Sequence, residues 1–178
     1  MKIQPLTPAA KHQRDQIARE ARRLADDGHC PTCWDFEHGG VYPHAHDRRF
    51  YDTDLLTCLL DAYPRSLGHT IVLIKPHFED LSRLPEHLHA CVYQIIHITI
   101  QALKDVTGAP KIYLCTMCDG PRNHLHYQLI PRLTDDDVTG SRVFVRQRGL
   151  LTDHAPAIES LSRCMNQLLP IHHSRSPS

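Results

Sequence analysis

The stretch His124-Leu125-His126-Tyr127-Gln128-Leu129-Ile130-Pro131-Arg132 decides how the chain is read. Its polar and apolar side chains alternate. On a β-strand alternate residues share a face, so His124, His126 and Gln128 line one side. Leu125, Tyr127 and Leu129 point to the other side, into a core. Two imidazoles and an amide in a row make a working surface rather than packing. His126, in the middle, is the candidate nucleophile or general base.

The apolar half of this strand needs a sheet to join. Upstream, His69-Thr70-Ile71-Val72-Leu73-Ile74 is a β-branched run that predicts a central buried strand, closed by Pro76 and His77. Shorter strands are predicted at Phe50 to Thr53 and Leu55 to Ala62. Further strands are predicted at Lys111 to Met117 and Arg142 to Val145. The turn Gly120-Pro121 leads into the His124 strand. Glu86 to Val106 carries Leu88, Val92, Ile95, Ile96, Thr99 and Leu103 at helical spacing, which predicts a helix packed on a sheet. Ala155 to Leu169 reads as a closing helix. The fold class is α+β: a mostly antiparallel sheet of five strands with packed helices. One domain is expected, residues 28–169. It is preceded by a charged, mostly exposed helix within residues 1–27 and followed by a flexible tail, 170–178.

Composition removes some functions. Twenty basic and twenty acidic side chains cancel, so the electrostatic footprint of a nucleic-acid binder is missing and no stable nucleic-acid binding is expected. No apolar run is long enough to span a membrane. Met1-Lys2-Ile3-Gln4-Pro5 lacks the apolar core of a signal peptide, so a cytoplasmic location is expected. In that reducing setting the CxxC pairs among the seven cysteines read as metal or redox sites rather than structural disulfides.

Cys30-x-x-Cys33 has metal-ligand spacing in what reads as a turn, His29 to Trp34. A tetrahedral site needs two more ligands. One option is Cys115 with Cys118. Against it, residues three apart on a strand face opposite sides. The other is Cys2His2, with His77 after the central strand and His124 at the head of the polar row. Ordinary small core cysteines are the plain alternative. The remaining histidines, His12, His38, His44, His46, His87, His89, His97, His154, His172 and His173, read as surface or incidental. His69 reads as ordering a turn. Asp135-Asp136-Asp137 reads as a solvated acidic loop. Arg142, Arg146 and Arg148 are candidates for gripping phosphate.

Two segments together resemble a known family. Leu60-Asp61-Ala62-Tyr63-Pro64-Arg65-Ser66-Leu67-Gly68-His69-Thr70-Ile71-Val72-Leu73-Ile74-Lys75-Pro76-His77 is similar to the central signature of the histidine triad (HIT) superfamily. His124 to Arg132 is similar to its catalytic motif. The third motif position is Gln128, and His-x-His-x-Gln resembles the branch of galactose-1-phosphate uridylyltransferase and diadenosine tetraphosphate phosphorylase.

The resemblance implies a structural zinc at Cys30, Cys33, His77 and His124. It implies that Asp61 binds a nucleotide ribose, that His126 attacks an α-phosphorus, and that Gln128 holds a phosphate oxygen. The loop before the motif is short, so phosphate recognition is expected to fall on Arg122 and Asn123. The implied function is a nucleotidyltransferase or phosphorylase acting through a nucleotidyl-histidine. The alternatives are a dinucleoside polyphosphate or phosphoramidate hydrolase, and a zinc-structured nucleotide-binding protein without turnover. A homodimer is expected, paired through Val92, Ile95, Ile96, Thr99 and the Lys111 to Met117 strand.

Overall fold

The computed structural model describes residues 1–117, 122–135 and 138–173, the last four by backbone only. Cys118, the Gly120-Pro121 turn, Asp136, Asp137 and residues 174–178 lie outside the described residues. The elements run β1 (Lys2–Gln4), α1 (Pro8–Asp26), α2 (Pro31–His38), β2 (Arg49–Asp52), β3 (Leu56–Leu60) and β4 (Thr70–Ile74). They continue with α3 (Glu86–Thr107), β5 (Lys111–Cys115), β6 (His126–Arg132), β7 (Leu150–Thr152) and α4 (Ala155–His173).

Five strands form one antiparallel sheet in the order β2-β3-β4-β6-β5. The α+β expectation is borne out, with the predicted β4 at the centre. Register explains the two faces. Thr57 pairs with Leu73, and Leu73 with His126; Leu59 pairs with Ile71, and Ile71 with Gln128. These residues share one face. The other presents Leu56, Cys58, Leu60, Val72, Ile74, Leu125, Tyr127 and Leu129 to the core, where α3 and α4 bring Val92, Ile96, Leu103, Leu161 and Met165. The period-2 alternation of the motif strand thus puts its leucines in the core and its polar row on the far side.

Several sequence expectations change. Residues 31–38 are a helix rather than a turn and loop. Pro31 starts it with a preset φ and no need of an N–H partner, and Trp34 stacks on His38 one turn later, ring centres 4.3 Å apart. Arg142 to Val145 is not a strand but part of a 3-10 helix, Gly140–Val145. Val143 is 2% exposed and Val145 82%, although both would share one face of a strand. Among the described residues no strand pairs with this backbone. The closing helix continues past Leu169 to His173. Val92, Ile95, Ile96 and Thr99, offered as a pairing surface, are buried within the chain. The core therefore consumes the apolar surplus on which that argument rested.

Sequence patterning also missed a second, two-stranded sheet. β1 pairs antiparallel with β7, Ile3 opposite Leu151, and clips the two ends of the chain together. The three-residue strands are too short to carry a periodic signal.

Gly68 leads into β4 with φ +83, and a Cβ there would lie 2.7 Å from Thr107 Cγ2 and 3.3 Å from Pro131 Cγ. Gly68→Ala therefore combines a left-handed backbone with a collision, and should cost about 1–3 kcal/mol of stability in urea unfolding. An unchanged midpoint would show that α3 shifts freely here.

Candidate active site and metal centre

The helical turn explains the Cys-x-x-Cys spacing. Cys30 is the N-cap of α2 and Cys33 lies in its first turn, and residues three apart on a helix are neighbours. Across from them stand His77, beyond β4, and His124, just before β6. The four ligand atoms lie within 4.8 Å of one another. His124 Nδ1 is 3.3 Å from Cys30 Sγ, 3.4 Å from Cys33 Sγ and 3.4 Å from His77 Nδ1. Cys33 Sγ is 3.4 Å from His77 Nδ1.

These separations suit a tetrahedral ion. Bonds of about 2.3 Å to sulfur and about 2.0–2.1 Å to nitrogen put nitrogens roughly 3.3–3.4 Å apart and sulfur roughly 3.5 Å from nitrogen. The buried His124 ring also gives its Nε2–H to the Ile74 carbonyl, which turns the Nδ1 lone pair to the cluster as metal-ligating histidines require. The residues fit a metal. Without a cation, burial and the neighbouring Cys30 push the Cys33 thiol up to about 12. The cluster does not include Cys115; Cys118 lies outside the described residues.

Two residues beyond His124, the half-buried His126 faces a cavity of about 810 Å³. Its Nδ1–H donates to the His124 carbonyl at 2.9 Å. That contact selects the tautomer with a bare Nε2 lone pair, the form a nucleophile needs. Gln128 lies further along the same strand face, buried at 8% exposure. Its orientation is set by His69. The Arg65 backbone N–H donates to His69 Nδ1 at 3.2 Å, so the proton sits on Nε2 and is donated to Gln128 Oε1, also at 3.2 Å. With its oxygen occupied, the Gln128 amide offers N–H groups as its remaining function.

Burial pulls the pKa of His69 down to about 4, against the opposing pull of the Asp61 carboxylate. The imidazole is therefore neutral at pH 7, and folding carries a pH cost. An unfolded histidine binds a proton below about 6.5, whereas the folded one waits until about 4. Stability from this group is complete above pH 6.5 and falls as pH drops toward 4. Denaturant unfolding at pH 7 and pH 5 should differ by about 2 kcal/mol from this source, and His69→Gln should flatten the slope. An equally steep slope in the variant would assign the effect to other groups.

Asp61 follows β3 and lines the same cavity. Its Oδ1 accepts from the Tyr63 N–H at 2.9 Å. Its Oδ2 accepts from Arg148 Nη1 at 2.8 Å and lies 3.4 Å from His69 Nδ1. Although burial works the other way, His69 and Arg148 help hold this carboxyl below its usual range. Arg122 and Asn123 do not border the cavity; the Arg122 guanidinium lies near Gly28 instead. Of the three arginines suggested for phosphate, Arg148 alone reaches this cavity.

Two histidines read as incidental, His44 and His154, also line it, as does one face of α1 through Gln13, Arg14, Ile17, Ala18 and Ala21. No local pattern marked these residues, because their approach depends on how the chain ends wrap the sheet.

The HIT domain sequence model matches residues 43–135, just over half of the chain. The chain belongs to the HIT family. It is 25% identical over 134 residues to adenylylsulfatase HINT3 of Arabidopsis thaliana, covering 73% of this chain and 68% of that one. An uncharacterized HIT-like protein of Borreliella burgdorferi is 29% identical over 94 residues, which cover 49% of this chain and 68% of its own. Among solved structures, the hypothetical histidine triad nucleotide-binding protein of Sulfolobus tokodaii superposes with a TM-score of 0.59 at 23% identity, covering 78% of this chain and 93% of that one. A zinc-bound histidine triad family protein of Mycobacterium smegmatis gives 0.56 at 20% identity, with 69% and 86% covered. These likenesses establish the HIT fold. The matched segment holds β2 to β6, hence the catalytic-motif strand. Cys30, Cys33, α1 and Arg148 fall outside it.

Proposed function

We propose that this HIT protein is an enzyme that cleaves nucleoside 5′-phosphoryl compounds at the α-phosphorus through a nucleotidyl-His126 intermediate. The observation that carries this reading is the bare Nε2 of His126 facing the cavity beside an amide whose N–H groups are turned outward by His69. The Nε2 lone pair attacks phosphorus, and the bond to the leaving oxygen breaks with its electron pair on that oxygen. An acceptor oxygen then attacks phosphorus, and the pair of the P–N bond returns to Nε2. Gln128 donates to a phosphate oxygen as charge builds there. Asp61 accepts from the ribose.

An amide cannot protonate a leaving group at neutral pH. Gln128 therefore favours weakly basic leaving groups such as phosphate, pyrophosphate or sulfate. The similarity to a protein named as an adenylylsulfatase supports the same class of leaving group. The acceptor in our first reading is phosphate or a sugar phosphate, making the enzyme a nucleotidyltransferase or phosphorylase; water is the second. Products formed from an α-labelled nucleotide with and without added phosphate separate the two. A protein that binds the nucleotide but never becomes labelled would be a binding module instead. Gln128→His restores an acid near the leaving group and should shift the product ratio toward hydrolysis; an unmoved ratio would count against this role of the amide.

We also assign the metal as zinc, held by Cys30, Cys33, His77 and His124. Bound there, it would supply structure, tying α2 and the end of β4 to the residue that starts the catalytic strand. A cytoplasmic homodimer remains our reading of the assembly. It is supported by the edge position of β5 and by Leu114 and Tyr93, each 42% exposed. Light scattering at micromolar concentration tests it, and a monomer would end it.

A further inference from the structure

The cavity has two ends; bonds are made and broken at one of them, and at the other only Asp61 has been given a role. His126 and Gln128 stand on β6. Asp61, two strands away at the end of β3, stands at the other end. The gap between Gln128 and Asp61 is one imidazole wide, since His69 touches both. Four arginines line the cavity, and three of them act on Asp61 or its neighbour Tyr63: Arg14 of α1, Arg48 before β2 and Arg148 before β7. Arg148 holds Asp61 and also donates to the Tyr63 carbonyl at 2.8 Å. Arg14 acts on Tyr63, whose hydroxyl lies 3.4 Å from Gln13 one position earlier on α1.

Arg48 is the odd one. It is 8% exposed, yet its Nη1 donates to the neutral Leu60 carbonyl at 2.6 Å. Among the described residues no carboxylate stands within ion-pair distance of it. A buried cation without a close counter-charge is costly, and an anionic ligand at this end would offset that cost. Arg14 also meets Asp15 at 3.1 Å and Arg148 meets Asp61 at 2.8 Å, so Arg48, which feels Asp61 and Asp47 only at longer range, is the guanidinium of the three without an ion-pair carboxylate among the described residues. The chain ends build this arrangement. Arg14 and Arg148 both lie outside the matched HIT segment, on extensions that β1 and β7 clip together.

A carboxylate beside a ribose suits free hydroxyls, whereas an arginine there suits a phosphate on the ribose. Here a guanidinium already sits on the carboxylate. We propose that Arg14, Arg48 and Arg148 form a second anion subsite, which takes a phosphate carried on the ribose 2′ or 3′ oxygen. The preferred substrates are then nucleotides phosphorylated at the ribose as well as at the 5′ position. This rests on the nucleotide reading of the His126 end and specifies its substrate class.

Calorimetric titration of the metal-loaded full chain tests it, with adenosine 5′-monophosphate, adenosine 3′,5′-bisphosphate, adenosine 2′,5′-bisphosphate and a diadenosine polyphosphate as probes. At least one bisphosphate should bind about tenfold tighter than the monophosphate, or more. Arg148→Gln and Arg14→Gln should each remove most of that preference. Arg14 lies on a solvent-facing helix and its variant keeps a good helix former, so it serves if Arg148→Gln fails to fold. Equal affinity for mono- and bisphosphates would overturn the subsite and leave the nucleotide reading standing. So would a preference that persists in both variants. A stronger preference for the dinucleotide, lost in the variants, would overturn it too and give the arginine end to a second nucleotide. Failure to bind any of the four would remove the proposed function together with the subsite.

Discussion

His126→Ala should lower turnover of a nucleotide substrate by at least about 10³-fold, because it removes the proposed nucleophile. Acid-labile label from an α-labelled nucleotide should vanish from the protein at the same time. The fold should survive. His126 is half-buried, lies on the cavity face and contributes no ligand to the metal cluster. Metal content and the unfolding midpoint of the variant provide the control. Turnover that persists in a folded, metal-loaded variant would take the nucleophile assignment away from this residue. Gln128, tied to His69, offers no lone pair that could replace it.

The second large effect is expected at the metal. Wild-type protein should contain one zinc per chain, and Cys30→Ser should reduce this toward zero. The variant loses a thiolate, and the remaining thiol and two imidazoles no longer close a tetrahedron. Metal binding is linked to folding. With a loss of about 4 kcal/mol, the thermal midpoint of a chain this size should fall by roughly 8–16 °C. Catalysis should suffer as well, because His124 supplies both a ligand atom and the carbonyl that fixes the His126 tautomer. A variant with full metal content and an unchanged midpoint would show that the cluster does not hold the ion.

Much of this was legible in the residue order. The alternation from His124 to Arg132 specified a strand with one polar face, because side chains on a strand alternate whatever surrounds it. The β-branched run Thr70 to Ile74 specified the central strand, and the helical spacing from Val92 to Leu103 specified the helix that covers the core face. The four candidate ligands were also within reach, since metal chemistry admits few residue types and spacings. Resemblance supplied Asp61.

Contacts between distant parts of the chain were not legible. That residues 31–38 wind into a helix was hidden behind a Cys-Pro-Thr-Cys run that reads as a turn. The roles of His69, Arg48 and Arg148 depend on register across β3, β4 and β6, and on the clip between Ile3 and Leu151 that folds both ends over the sheet. No local period encodes such a meeting, because each partner alone is an ordinary polar residue on its own element. Sequence determined which face of the sheet would carry chemistry; only the tertiary structure decided which charges enclose it.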